Sequence, residues 1–430
     1  MPTRLTMFVL ACLASIGTQG LVMRCVRQSN STSERAIRVH GVQDRRPFDP
    51  LRMSSWLPDE RAPIIQPNTC TGPGCCPGNI YNPSAVNNGD TCWNVYFGGW
   101  DGVRTCKDSV SVAVTVDSFA SIHPHVPMIA TGTCQHVNNP SVVRETPGSW
   151  GMVYTQDNNN INKPGVSLGT NGLDWKPNSG GSTFLIMRGY PFGWGTPTSG
   201  ADVNGGNVIH HDPNTGRWHF FFTDFKQLHN ASVFHAIGSD GLGGAFTYEG
   251  VAVAQPRLIV NDIKRVNGHY LLGLHHNGQQ VFSATSTDLN TFPAAQVLFS
   301  NAGDDDKYIT SVGFVVDANG TRLLGALYGA GAVASLDHNR IFARWLQQRV
   351  EFVSEDGELL WSSGSAEGPD IQLLRRIKLG GQQPMPSRGR FFVYAADYEN
   401  ATTRGTLLYR SGVVNAVAGD VWQLEDSDEL

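Results

Sequence analysis

Four times in this chain a strand opens on Asn and runs through a turn into an aromatic-rich partner strand. The copies start at Asn82 (NPSAVNNGDTCWNVYFGGWD), Asn139 (NPSVVRETPGSWGMVYTQD), Asn207 (NVIHHDPNTGRWHFFFTD) and Asn261 (NDIKRVNGHYLLGLHH). In the first three, Trp93, Trp150 and Trp218 each follow the Asn by 11 residues. A more divergent fifth copy begins near Ser311 (SVGFVVDANGTRLLGALYGAG). A third strand is legible in each module, as VSVAVTVDSF, GVSLGTNGLDW, VFHAIGSDGLGGAF, VFSATSTDLNTF and RIFARWLQQRVEFV. Most of these carry a Ser/Thr-Asp/Asn-Gly/Leu turn before an aromatic, which supplies the positive φ and side-chain caps of a tight hairpin. Self-similarity in strands and turns at a period of roughly 50–70 residues marks a β-propeller. The expectation is an all-β chain with five blades, starting near Ile80, Val137, Gly206, Val260 and Tyr308.

Composition agrees with a turn-rich β protein. The 430 residues hold 48 Gly, 23 Pro and 10% aromatics against 16% charged residues, poor material for long helices. A net charge of −5 provides no basic field for nucleic acid. Residues 1–23 read as a signal peptide: Arg4 precedes the apolar run Met7–Gly17, and small residues near Ala14 or Gly20 suit cleavage. An uncleaved anchor is the alternative, because apolar character resumes at Leu21–Met23; after cleavage no membrane span remains. Residues 24–68 are rich in Ser, Asn, Arg and Pro and read as a flexible arm. The propeller is assigned to 69–355. Residues 356–430 read as a C-terminal β segment, with strands at Asp370–Lys378, Arg390–Asp397, Thr406–Gly412 and Val421–Leu424. That segment is either a small appendage or a degenerate sixth blade. Its lack of an Asn start and of an aromatic second strand favours the appendage.

All eight cysteines fall in the first third of the chain, at positions 12, 25, 70, 75, 76, 92, 106 and 134. Cys12 lies in the apolar run and leaves with the signal; in an oxidising compartment the other seven read as disulfides, with one unpaired, rather than a metal site, and Cys92 and Cys106 flank the first aromatic strand. N-x-S/T sequons at Asn30, Asn230, Asn319 and Asn400 fit a secreted glycoprotein. The C-terminus, Ser427-Asp428-Glu429-Leu430, resembles receptor-read retrieval signals. The chain is expected to be secreted or held in the ER lumen, assuming a eukaryotic source.

In a propeller blade, starts of first strands and ends of second strands converge on one face around the axis. The starts bring Asn82, Asn139, Asn207, Asn261 with Asp262, and Ser311. The ends bring Trp100 with Asp101, Gln156 with Asp157, Asp224, and His275 with His276. Amides and carboxylates bind hydroxyl groups and aromatic faces cover sugar rings, so the expected ligand is a carbohydrate. The Asn series also has a structural reading, since Asn at a strand start can hydrogen-bond the incoming loop and hold blades in register. Each Asp can likewise be a turn former. Arg340, in the Asp337–Arg340 segment, is placed to clamp a substrate carboxylate or phosphate, or to pair with Asp337. No His/Cys spacing suggests zinc, and no cofactor is expected.

The N-P-S-x-V opening, the G-D-T-x-W hairpin and the S-x-D turns resemble the five-bladed propeller glycoside hydrolases, the arabinanase/β-xylosidase and invertase-like superfamily, over roughly residues 78–355. The resemblance implies a first-strand Asp as base or nucleophile, a second Asp that orients, a Glu acid and, in some relatives, a His that helps seat a central calcium ion. His210-His211 and His275-His276 resemble that His. This sequence departs where it matters most: the position matching the first-strand Asp is Asn82, and Asn139 repeats the change. An amide accepts no proton at neutral pH and forms no glycosyl ester. No Glu falls at a convergent position; Glu145 and Glu249 lie elsewhere. Hydrolysis would then fall to a pair among Asp101, Asp157, Asp202, Asp224 and Asp262, ranked Asp262, Asp101, Asp224. The expected substrate-binding residues are Asn82, Trp100, Asn139, Asp157, Asn207, Asn261, His276 and Arg340. The expectation leans to a glycoside hydrolase. A non-catalytic, lectin-like propeller and an extracellular interaction scaffold are the alternatives.

Overall fold

The computed structural model describes residues 36–40, 56–67 except 60, 78–99 except 90 and 91, 108–362 apart from short loop gaps, and separate strands between 371 and 425. These residues are β throughout, save one short 3-10 turn, Phe225–Gln227. No described helix is long and apolar enough to cross a membrane.

Five antiparallel sheets follow the repeat. The first blade comprises Ile80–Gly89, Cys92–Gly99, Ser109–Thr115 and Val126–Ala130. The second comprises His136–Thr146, Ser149–Asn158, Ile161–Gly169 and Trp175–Lys176. The third is Asn207–Asp212, Arg217–Phe222, Val233–Gly238 and Ala245–Val253, with Ile186–Arg188 added in parallel at its outer edge. Ile259–Val266, His269–His275, Gln280–Ser286 and Gln296–Ser300 form the fourth. The fifth is Tyr308–Val316, Leu323–Gly331 and Arg340–Leu346, completed by Trp56–Pro58. The first strands pack against one another in sequence, and that of the fifth blade packs on that of the first, so the ring closes.

Each seam between blades has its own apolar core. Val110 and Val112 meet Val142 and Met152 between blades one and two. Val153 and Val166 meet Phe220 and Phe222 at the next seam, and Phe221 and Val233 meet Leu272 and Leu274 at the third. Leu271 and Val281 meet Val312 and Phe314 at the fourth, and Leu327 and Ile341 meet Val95 and Phe97 where the ring closes. The repeated tryptophans are wedges in three of these seams. Trp93, Trp150 and Trp218 are all buried, and the Trp93 indole N–H donates to Val316 O of the preceding blade at 3.4 Å. The Trp218 ring lies so close to Gly151 that a Cβ there would sit 2.8 Å from it. The constant Asn-to-Trp interval is thus one hairpin, with Asn at the axial start and Trp at the opposite end of the returning strand.

Two segment boundaries are corrected. The stretch 24–68 is not a free arm throughout. Ala36–His40 is a strand between Arg404–Ser411 and Val421–Glu425, and Trp56–Pro58 is the outer strand of the fifth blade. Trp56 is buried against Phe299, with ring centroids 5.2 Å apart. The propeller also ends earlier than 355: Gln348–Ser354 leaves the fifth blade and pairs with Gly389–Ala396. The C-terminal strands join it in a separate eight-stranded sheet, an appendage rather than a sixth blade. Cys92 is disulfide-bonded, Cys134 is free and buried, and the remaining cysteines and all four sequon asparagines lie outside the described residues.

Candidate functional site

The inner strands begin with a local irregularity. The register slips between Tyr81 and Ser84, between Asn138 and Ser141, between Val260 and Asp262, and between Ile309 and Ser311. Such bulges re-aim side chains where strands crowd an axis. In the first two blades the slip includes Asn82 (φ 55°) and Asn139 (φ 48°), each before a proline. Among residues other than glycine, Asn and Asp enter this left-handed region most readily, so backbone geometry already explains part of the repeat.

The predicted convergence of the Asn residues is present, and it forms a closed network. Asn261 Nδ2 donates to Asn82 Oδ1 at 2.9 Å, a contact between the fourth and first blades that crosses the axis. Asn207 Nδ2 donates to Asn139 O at 2.9 Å, and Thr155 Oγ1 donates to Asn207 Oδ1. Asn139 Nδ2 donates to Asn138 Oδ1 at 2.7 Å, and Asn138 Nδ2 donates to the Tyr81 hydroxyl at 3.0 Å. Asn82, Asn139, Asn207 and Asn261 are each 3% exposed or less. These four expected sugar ligands are therefore buried and hydrogen-bonded within the protein.

A second ring lies beside the first. At every seam a side-chain oxygen of one inner region accepts a backbone N–H of the next blade. Ser84 accepts from Val142 N at 3.1 Å, Ser141 from Ile209 N at 3.0 Å, and Thr223 from Val260 N at 3.2 Å. Asp262 accepts from Phe314 N and Ser311 from Asn82 N, both at 2.7 Å. Sequence reasoning missed this role. The signal was the Ser of the repeated N-P-S, two residues after the Asn; in the fourth blade Asp262, one residue after Asn261, takes the same role.

Asp262, ranked first for catalysis, is therefore a seam residue. Its Oδ1 lies 3.2 Å from Lys264 Nζ and its Oδ2 holds Phe314 N. Burial pushes its carboxyl above the ordinary range, opposed by Lys264 and the Phe314 N–H. Asp224 is equally committed: Oδ1 accepts from Asp202 N and Lys226 N at 3.0 Å, and Oδ2 from the Tyr190 hydroxyl at 2.9 Å. Asp202 Oδ1 accepts both Asn162 N and Asn162 Nδ2. Asp157 is buried, takes Asn160 N at 2.9 Å and lies 3.6 Å from His136. Trp100 and Asp101 lie outside the described residues.

The two remaining expected residues, His276 and Arg340, are both exposed. His276 is exposed, with its ring edge on Phe282 at 5.0 Å. Arg340 is exposed at the start of a third strand, while Asp337 accepts from Ser335 Oγ at 3.2 Å and is not its partner in an ion pair. Tyr81 and its surroundings were not anticipated. The Tyr81 phenol is pushed up by burial and then by the charge of Asp108, with Asn138 opposing and Asp337 adding. Asp108 precedes the third strand of the first blade, a position no repeat motif marks.

Among the described residues, the histidines do not form the calcium seat that the resemblance implies. His275 is buried, with Nδ1 2.5 Å from Asn261 Oδ1 and Nε2 3.0 Å from the Asn277 amide; burial lowers its pKa to about 3. Among the described residues no three His, Cys, Asp or Glu side chains converge as a metal-binding set. His210 is instead packed edge-on against Tyr270.

No protein-family model matches the chain, and no curated protein matches it in sequence. Solved structures do match in fold. A provisionally assigned glycosidase from Bacteroides thetaiotaomicron superposes with a TM-score of 0.51 at 13% identity, covering 69% of this chain and 98% of that one. An α-L-arabinofuranosidase from Podospora anserina, solved with cellotriose, has a TM-score of 0.47 at 13% identity, covering 69% and 98%. A β-xylosidase/α-arabinofuranosidase from a compost microbial metagenome, solved with xylotriose, has a TM-score of 0.46 at 14% identity, covering 70% and 98%. The chain is thus an all-β propeller, a fold it shares with the Bacteroides structure. At these identities the likeness is one of fold.

Proposed function

We propose that this chain binds carbohydrate on the face where its inner strands begin, and that it does so without the carboxylate pair of a glycosidase. The observation that carries the second half is the commitment of the carboxyls. Asp262 and Asp224 have both oxygens occupied within the protein, and the first-strand position holds Asn82, whose amide oxygen is bound to Asn261. Hydrolysis needs two carboxyls facing each other across the sugar, about 5–5.5 Å apart for retention and about 6.5–9.5 Å for inversion. A sequestered seam carboxylate meets neither need. The first half rests on the glycosidase-like fold and on the polar groups left at the surface of that face, among them His276, Asn277 and Arg340. A secretory-pathway location is part of this proposal.

Hydrolysis is the second reading, and one feature favours it: the charges of Asp108 and Asp337 both act on the Tyr81 phenol. A glycan array with wild-type protein, followed by hydrolysis assays on each bound glycan, separates the two. Binding without turnover is the expected result. Turnover that disappears in Asp108→Asn or Asp337→Asn would overturn the binding-only reading.

A further inference from the structure

The connection between the second and third blades differs from its counterparts. Residues 177–206 join these blades, whereas 131–135, 254–258 and 301–307 suffice at other seams. This insertion is fastened closely to the fold. Lys163 is buried and donates to the carbonyls of Trp194 and Ala201, with its ammonium 4.9 Å from the centre of the Trp194 ring. Lys226 donates to Gly200 O. Asp224 holds both Asp202 N and the Tyr190 hydroxyl, and Tyr190 is packed among Phe222, Phe234 and Tyr248. The neck of the loop is too tight for side chains: a Cβ on Gly200 (φ 81°) would sit 2.3 Å from Trp194 O, and one on Gly195 (φ 75°) 2.4 Å from Ser199 O.

The tip of this rigid loop presents an apolar ring to solvent. Phe192 is 50% exposed, while one edge rests on Tyr190 and Phe234. Beside it in the chain are the exposed hydroxyls of Thr196, Thr198 and Ser199. Phe234 opens a third strand, so this tip stands on the face where the inner strands start. From the tip the chain runs inward to Gly205, whose carbonyl accepts Asn261 Nδ2 at the axis. One continuous, pinned segment therefore links an exposed aromatic on the rim to the polar floor at the centre. Leaving a ring half in water forfeits part of its burial, and burying a lysine to secure the loop carries a desolvation cost. A single exposed apolar residue on a floppy loop would be unremarkable. A pre-organised one, on a loop that also carries exposed hydroxyls, is suited to the apolar face of a sugar ring.

We propose that Phe192 forms a rim subsite that stacks on a distal sugar unit of an oligosaccharide whose end lies over the axis. This rests on the carbohydrate-binding reading above. The test measures calorimetric binding of xylo-, arabino-, manno- and galacto-oligosaccharides, comparing disaccharides with hexasaccharides, for wild type, Phe192→Ala and Phe192→Trp. Phe192→Ala is expected to weaken hexasaccharide binding by about three- to tenfold. It leaves disaccharide affinity and Tm unchanged, and Phe192→Trp restores the loss. Unchanged hexasaccharide affinity in Phe192→Ala overturns the rim subsite alone, as does an equal loss for both lengths. A wild-type protein that binds no member of the panel overturns the carbohydrate reading and the subsite with it.

Discussion

The seam of the first blade and the seam of the fourth use one geometry and two chemistries. Ser84 and Asp262 both follow a bulged Asn at the start of an inner strand, and both accept a backbone N–H from the next blade. The serine is a neutral acceptor that asks little of its surroundings. Asp262 is a buried charge and needs Lys264, which lies 3.2 Å away. A carboxylate at a strand start near a propeller axis can therefore be a joint between blades. Its position alone does not make it a catalyst.

The largest effect should come from removing the two acceptors in turn. Asp262→Ala strands the Lys264 ammonium and the Phe314 N–H, and should cost about 3–5 kcal/mol of unfolding free energy. Ser84→Ala leaves one backbone N–H unpaired and should cost about 1–3 kcal/mol. Urea unfolding of both variants checks the order; equal losses would break the comparison.

The two joints should also respond differently to pH. The Asp262 carboxyl is raised in the folded state, so its contribution is full below the unfolded value of 3.8 and is lost as pH rises through the folded pKa. Asp262→Asn should remove that component, while Ser84→Ala leaves the profile parallel to wild type. Against this background the buried histidines act with the opposite sign. His219 is lowered to about 4, and His210, His235 and His275 to about 3, mainly by burial. Their stabilisation is full above 6.5 and is lost as pH falls through 4 to 3. His219 and His235 are stacked 5.2 Å apart with Nδ1 and Nε2 at 2.9 Å, so they resist charging together. Tm measured from pH 7 to pH 3 should fall steeply in wild type, and less so in His235→Gln.

The smallest effect is expected at the residue where the glycosidase resemblance breaks. Asn82→Asp keeps an acceptor for Asn261 Nδ2 and a side chain that tolerates positive φ, so the variant should fold with a Tm close to wild type. It should remain inactive on any bound glycan, because both oxygens of Asp262 are taken up by Lys264 and the Phe314 N–H. Hydrolysis by Asn82→Asp would show that a partner carboxyl is in place, and would return Asp262 or Asp108 to consideration as a catalyst.

Blade strands were legible in the sequence because their signals are local. Alternation, turn residues and the Asn–Trp interval all act within one hairpin. Trp56–Pro58 and Ala36–His40 carried no such signal. Each is a short strand completed by partners some hundreds of residues away, Leu346 for Trp56 and Gln423 for Ala36, so no periodicity inside the segment marks it. The division of this stretch was hidden for a related reason: Arg340–Leu346 and Gln348–Ser354 read as one continuous strand, yet they pair in two different sheets.

For the site, sequence alone determined that the Asn starts converge, since a repeated strand start in a propeller must face the axis. It also determined that an amide stands where the family resemblance implies a carboxylate. Tertiary structure decided what those side chains do there. Hydrogen-bond partners come from other blades: Asn261 meets Asn82, Asp262 meets Phe314 N, and Asp224 meets Tyr190 and Asp202 N. A polar side chain at the axis is available to a ligand only when its neighbours leave it unsatisfied, and that depends on how the ring closes.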